Sequence, residues 1–134
     1  MTKIEKIEGI GDVYAAKLVE VGIKSVEQLL ESSLTKKARA ELAEKTGISE
    51  ALILKWANHA DLFRIKGVAG QYSELLEAAG VDTVVELASR KPENLTKKME
   101  EINAEKKLVR AVPYLKMVTK WVDQAKALPR KLEY

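Results

Sequence analysis

The sequence IEGIGDVYAAKLVEVGIKSVEQLL, residues 7–30, decides the fold, because its pattern returns at residues 65–88 as IKGVAGQYSELLEAAGVDTVVELA. A constant offset of 58 residues relates the two copies, and seven residues are identical at that offset. Self-similarity at a fixed spacing indicates a repeated structural unit. The sequence therefore predicts an internal duplication.

A tight glycine turn opens each copy. Gly9 and Gly11 can both take positive φ without a Cβ clash, which lets the backbone reverse direction within a few residues while Ile10 points inward. In the second copy Ala69 replaces the second glycine and Gly70 follows it. The second turn is therefore expected to present its backbone N–H groups less well.

A short amphipathic helix follows the first turn. Asp12 is a predicted N-cap, and Tyr14, Leu18 and Val21 have the spacing of one helix face. Gly22 is expected to end this helix. In the two copies, Ser25 and Thr83 are the predicted caps of the next helix.

Helical spacing continues through the rest of the chain, and no segment has the alternation of a strand. Residues 2–6 predict a short lead-in helix, and either Ser33 or Thr35 is expected to cap the third helix, which Gly47 closes. The fourth helix begins near Ser49 and carries a broad apolar stripe that includes Trp56. The fold class is therefore all-α.

The motif KWANHA at residues 55–60 returns as KWVDQA at residues 120–125, now at an offset of 65, so about seven residues are inserted near 103–113. Pro92 suits the first turn of a helix, which Asn103 is expected to break. A basic connector, helical or not, follows, and Pro113 is expected to begin a last helix with Leu115 inward. Trp56 and Trp121 are predicted core anchors.

The pattern I-x-G-I-G-x-x-Y-A-x-x-L-x-x-x-G-I-x-S-V-x-x-L resembles the helix-hairpin-helix motif in the paired form found in the N-terminal domain of archaeal recombinases. Nearly the whole chain resembles an uncharacterised helix-hairpin-helix family, down to the segments DLFRIKGV, PENL and KALPR. The resemblance implies two tandem helix-hairpin-helix pairs in one compact helical body. The expected boundaries are residues 1–63 and 64–128, followed by a tail at 129–134.

Composition excludes several function classes. The chain has no cysteine and one histidine, so disulfide, thiolate, two-histidine metal and Ser-His chemistry are not expected. Its lack of an apolar membrane span or leader predicts a cytoplasmic protein that does not contact a membrane. His59 is expected in a capping or surface role. We expect no enzyme activity, no cofactor, no metal and no small-molecule substrate.

Charge is distributed unevenly along the chain. Residues 1–31 carry four Lys and six acids and residues 65–89 carry one Lys and four acids, whereas residues 90–134 carry twelve Lys and Arg against six acids. Nucleic-acid affinity without base readout comes mainly from cations that meet phosphates. Backbone N–H groups at a helix start can also hold a phosphate. The candidate nucleic-acid-binding residues are Gly9, Gly11, Lys66, Gly67, Gly70, Lys97, Lys98, Lys106, Lys107 and Arg110.

Two functions remain open at this stage. The first is a non-catalytic module that binds DNA weakly and without reading sequence, and Glu8 and Asp12 beside the first turn count against that turn as the contact. The second is a protein-interaction or structural adaptor with a protein partner and no nucleic acid. A solvated charged face would explain the basic segment equally well.

Overall fold

The computed structural model describes residues 2–134, and in that range the chain is all-α, as the sequence predicts. A 3₁₀ helix at Ile4–Lys6 is followed by eight α-helices. They are α1 (Asp12–Glu20), α2 (Val26–Ser32), α3 (Lys36–Thr46), α4 (Glu50–Leu62), α5 (Gly70–Ala78), α6 (Val84–Ala88), α7 (Pro92–Lys106) and α8 (Leu115–Ala127). Outside the helices, Lys3 and Ser25 form an isolated antiparallel bridge.

The chain divides into two compact units. The first extends to Asp61 and also contains Lys131–Tyr134, and the second is Leu62–Arg130. The tail predicted at 129–134 is therefore not free, because its last four residues belong to the first unit. That each unit is a helix-hairpin-helix pair, and that the two share one origin, stay predictions.

In the first unit the predicted lead-in helix is a single 3₁₀ turn, and the residue Thr2 before it is hydrogen-bonded to the start of α2. The N–H of Val26 donates to the carbonyl of Thr2, and the N–H of Thr2 donates to the Glu27 carboxylate at 2.8 Å. Burial raises the pKa of the Glu27 carboxyl, but hydrogen bonds from the backbone N–H groups of Thr2 and of Glu27 itself outweigh it. The pKa of Glu27 therefore lies below its ordinary value.

Four helix starts carry a side-chain cap. The hydroxyls of Ser25, Thr35, Ser49 and Thr83 accept from the N–H three residues on, at 3.1, 3.0, 3.2 and 3.3 Å. Each satisfies one of the N–H groups that a helix start leaves without an intrahelical partner. Ser25 and Thr83 are confirmed as caps, and Thr35 is the cap of α3.

The predicted helix ends at glycine are confirmed. Gly22, Gly47 and Gly80 have φ of 87°, 74° and 91°. This is the left-handed conformation that commonly closes a helix and that residues with a Cβ adopt at a cost.

The core of the second unit is built by α5, α6, α7 and α8, with α8 packed against both α6 and α7. Its buried apolar side chains include Leu76, Leu87, Met99 and Trp121. Two residues expected inside are not: Leu115 is exposed, and in the first unit so is Val21. Each lies at a helix terminus, where one side is open. The last helix begins at Leu115, with Tyr114 and not Pro113 as the residue before it.

Candidate nucleic-acid interface

The first glycine turn connects the 3₁₀ helix to α1. Gly9 takes positive φ, at 94°, whereas Gly11 is extended, with φ of −92° and ψ of −169°. Gly11 is the N-cap of α1, and Asp12 is the first helical residue, so the predicted cap at Asp12 is wrong by one position. Ile10 is buried between the glycines, as expected. One left-handed residue is thus enough to reverse the chain here.

The second turn has the same backbone. Gly67 has φ of 95°, and Ala69, with φ of −125° and ψ of −168°, stands where Gly11 stands in the first turn. Extended backbone at negative φ suits any residue. Replacement of the second glycine by Ala69 therefore leaves the backbone of this turn intact, because the φ of Ala69 is negative; that the turn presents its N–H groups less well stays a prediction. Gly70 is buried as the first residue of α5.

A tryptophan lies beneath each turn. A Cβ added to Gly9 would lie 3.6 Å from Nε1 of Trp56, and one added to Gly67 would lie 3.1 Å from Nε1 of Trp121. Trp56 packs against Tyr14 with ring centroids 5.0 Å apart, and Trp121 packs against Tyr72 at 5.3 Å. Both tryptophans are buried, so their prediction as core anchors is confirmed.

A side-chain amide fixes the backbone of the second turn. The N–H of Lys66 donates to Oε1 of Gln124 at 2.9 Å, and Nε2 of Gln124 donates to the carbonyl of Lys66 at 3.3 Å. The Lys66 main chain is therefore engaged within the protein, and only its exposed side chain is available to a ligand. Gln124 was not among the predicted site residues. The sequence feature that could have identified Gln124 is the repeated motif, in which Gln124 corresponds to His59 at the offset of 65.

The two turns differ in surface charge. Glu8 and Asp12 flank the first turn, and both are exposed. At the corresponding positions of the second turn stand Lys66 and Gly70, and the first turn of α5 contains no acid. The start of a helix attracts anions, because partial positive charge gathers there, and a neighbouring carboxylate repels them. The second turn is thus the less acidic of the two.

The predicted basic residues of α7 do not share one face. Lys97 and Lys98 are exposed in its middle and Lys106 is its last residue. Nine residues of α-helix span about 13 Å and two and a half turns, so Lys97 and Lys106 point to opposite sides. Glu101 and Glu105 are exposed on the same helix. The α7 cations therefore form a mixed surface rather than a basic strip.

The basic connector after α7 is ordered but not helical. Asn103 does not break the helix, which continues to Lys106; it is buried and exchanges two hydrogen bonds with Val109, at 3.0 and 2.9 Å. Lys107 follows in the left-handed conformation with φ of 53°. The hydroxyl of Tyr72 donates to the carbonyl of Ala111 at 3.0 Å. These contacts hold the exposed Arg110 on a fixed loop.

Helix polarity offers a structural reason for two of the predicted site residues. Lys106 and Lys107 lie at the C-terminal end of α7. Cations there interact favourably with the helix dipole and the last carbonyl groups. Their position is therefore explained without any ligand, whereas that of Arg110 on the connector is not.

His59 does not lie at the surface. It is 1% exposed on α4, and its neighbours Asn58 and Asp61 are also buried. The predicted surface position of His59 is therefore wrong, and its capping role in the last turn of α4 stays a prediction. Within residues 2–134, no group of three or more His, Cys, Asp or Glu side chains is placed to hold a metal ion. None of the helices described is both long and apolar enough to cross a membrane.

The comparison with protein families gives one match that covers most of the chain. Residues 8–128 match the model of a domain of unknown function, DUF4332. The chain belongs to the DUF4332 family. In this DUF4332 chain the matched region contains both glycine turns, α7 and α8. No curated protein and no solved structure gives a match.

Proposed function

We propose that this DUF4332 chain is a non-catalytic module of the cytoplasm that binds the phosphate backbone of nucleic acid without reading its sequence. The proposal treats each unit as a helix-hairpin-helix pair, related to that of archaeal recombinases. The observation that carries it is the exposed turn around Gly67, which leads into a helix without an acid in its first turn.

Main-chain geometry supports phosphate binding at this turn. The first N–H groups of α5 have no intrahelical carbonyl to bind, and partial positive charge gathers at that end of the helix. Gln124 holds the preceding residue by both its N–H and its carbonyl. A fixed turn loses little conformational freedom when an anion binds.

Charge supports the second unit over the first. Leu62–Arg130 contains thirteen Lys and Arg and nine Asp and Glu, whereas the rest of the chain contains ten and eleven. Each exposed carboxylate a few ångströms from a phosphate costs about 1 kcal/mol in water. The turn at Gly9, with Glu8 and Asp12 beside it, therefore contributes less than the turn at Gly67.

A salt titration tests the proposal. Binding of the full chain to a short DNA duplex and to a single strand is measured between about 50 and 200 mM salt, where several phosphate contacts lower affinity by orders of magnitude. The test variant changes Lys66, Lys97, Lys98 and Arg110, all exposed, to Glu in the second unit. The matched control changes four exposed lysines of the first unit, Lys24, Lys36, Lys37 and Lys45, to Glu.

Both variants alter the net charge equally, so they separate a local site from overall charge. We expect the second-unit variant to lose binding and the first-unit variant to keep most of it. Equal loss in both would mean non-specific attraction to net charge. Absence of binding by the unchanged chain at 50 mM salt would end the proposal.

A second candidate, protein binding, is favoured by apolar side chains on the first unit. Val13, Val19 and Val21 are 69%, 44% and 37% exposed. Val13 and Val19 lie on α1, next to the acidic first turn. If the first unit binds a protein through this surface, Val13→Ser reduces that binding and leaves DNA binding unchanged.

A further inference from the structure

The segment Lys131–Tyr134 lies on the first unit in the manner of a bound peptide. Leu132 is 2% exposed, so its side chain fills an apolar site. The N–H of Glu133 donates to the carbonyl of Leu34 at 2.8 Å. One buried side chain and one main-chain hydrogen bond are the elements by which proteins commonly hold an extended segment.

Arg39 is the central residue of this groove. It is 4% exposed, Nη1 donates to the carbonyl of Ser33 at 2.9 Å, and Nη2 donates to the carbonyl of Glu133 at 2.7 Å. Its guanidinium lies 5.8 Å from the centre of the Tyr134 ring. A buried guanidinium is costly unless acceptors or an aromatic face surround it. The segment therefore supplies part of the environment that Arg39 needs.

The ends of the segment are held by polar contacts. The hydroxyl of Tyr134 donates to Oδ1 of Asn58 at 2.8 Å, and Nζ of Lys131 lies 2.6 Å from the Glu31 carboxylate. Lys131, Glu133 and Tyr134 thus each have a polar partner, and Leu132 is buried. A cleft of about 330 Å³ continues beside Tyr134, lined also by Lys36, Arg39, Glu50, Ala51 and Leu54.

We propose that this groove is a binding site for an extended peptide of the pattern basic–Leu–x–Tyr, and that Lys131–Tyr134 is the chain's own ligand for it. The apolar site takes the leucine, the Leu34 carbonyl takes the next N–H, and Arg39 with Asn58 takes the tyrosine. A partner carrying such a segment binds by displacing the chain's own. This site is independent of the proposed nucleic-acid binding.

Because Lys131–Tyr134 occupies the groove, it limits the binding of any other peptide there. Because the segment belongs to the same chain as the groove, it binds there intramolecularly, at an effective concentration of its own. A free peptide must compete with it. The groove of the unchanged chain is therefore expected to bind free peptide at least about 10-fold more weakly than a chain whose own segment has been released.

The experiment releases the segment and adds it back. The full chain with Leu132→Asp and Tyr134→Ala is titrated by calorimetry with an acetylated, amidated peptide of sequence PRKLEY, residues 129–134. The matched probes are the same peptide with Leu changed to Asp, with Tyr changed to Phe, and in scrambled order. These probes vary the ligand and leave the folded protein untouched.

We expect PRKLEY to bind the released chain at least about 10-fold more tightly than the unchanged chain. The Phe peptide is expected to bind about 5-fold more weakly, because it lacks one hydrogen bond, and the Asp and scrambled peptides not measurably. A dimer of the unchanged chain that PRKLEY dissociates would also support the groove, filled by a second copy's segment.

Two results would overturn this proposal. One is no binding of PRKLEY to a folded released chain at millimolar peptide, and the other is equal binding of the Leu and Asp peptides. If far-UV circular dichroism finds the double variant unfolded, Leu132→Ala alone is used in the same titration. The same order of peptides is then required.

Discussion

The turn at Gly9 and the turn at Gly67 share a backbone but not a surface. The φ of the two glycines differs by one degree, and both turns lie over a Trp–Tyr pair. Around this common frame the first turn carries Glu8 and Asp12, and the second carries Lys66. A few residues that set φ and fill the core thus fix the turn, while the solvent-facing positions are free to change binding chemistry.

The largest loss of stability is expected when either tryptophan is truncated, which tests whether each one supports its own turn. Trp56→Ala and Trp121→Ala each remove a buried ring and leave a cavity, which costs about 3–5 kcal/mol of unfolding free energy. Native-state hydrogen exchange should find lost protection in the first unit for Trp56→Ala and in the second for Trp121→Ala. The opposite assignment, or an equal loss in both units, would break the comparison.

The next largest loss is expected when Gly9 or Gly67 is replaced by alanine, because the two turns leave different room for a Cβ atom. Gly9→Ala forces a Cβ into the left-handed region, at about 1–2 kcal/mol. Gly67→Ala carries that cost and also crowds Trp121 at 3.1 Å, so we expect about 2–3 kcal/mol in urea denaturation.

Gly11→Ala is the matched control for these two glycines. A Cβ there meets nothing within 4 Å, φ is negative, and Ala69 already occupies the corresponding position. We expect a change below about 0.5 kcal/mol. A large loss at Gly11 would mean that the two turns are not alike.

Asn103 sharpens the comparison from the side of the connector that follows α7 in the second unit. Asn103→Ala removes both hydrogen bonds to Val109 and leaves buried backbone groups unsatisfied, at about 1–3 kcal/mol. The loss should appear as faster amide exchange on the connector. Unchanged exchange there would show that other contacts hold the loop.

The smallest effect concerns pH and the first unit alone. Because the pKa of Glu27 is lower in the folded chain, the carboxylate contributes stability above its unfolded pKa, and that contribution is lost as pH falls through the folded pKa. Glu27→Gln should therefore make the melting temperature depend less on pH below about pH 4.5. At pH 7 it should change the free energy of unfolding by well under 1 kcal/mol. An unaltered acid slope would contradict it.

Local signals allowed much of the fold to be predicted. Ser25, Thr83, Gly22 and Gly80 act through atoms a few residues away, so the sequence near them contains the physics that places a cap or a helix end. Periodicity likewise identified Trp56 and Trp121 as buried. The sequence leaves open which of Gly9 and Gly11 takes positive φ, because glycine permits this conformation without requiring it.

Contacts between distant residues could not be predicted in the same way. Gln124 reaches Lys66 across 58 positions, and Arg39 reaches Glu133 across 94. Nothing in the neighbourhood of Arg39 indicates that it will be buried. The sequence therefore locates the two turns but not Gln124, which holds the second of them, and it does not show where residues 131–134 pack.

The two buried tryptophans have a practical consequence, since each compact unit contains one of them. Trp56→Phe leaves Trp121 as the sole indole emitter, and Trp121→Phe leaves Trp56. In each variant, the shift of the tryptophan emission wavelength on unfolding then reports the unfolding of one unit only. The molecule carries its own pair of optical reporters, and they will tell whether its halves melt together or in turn.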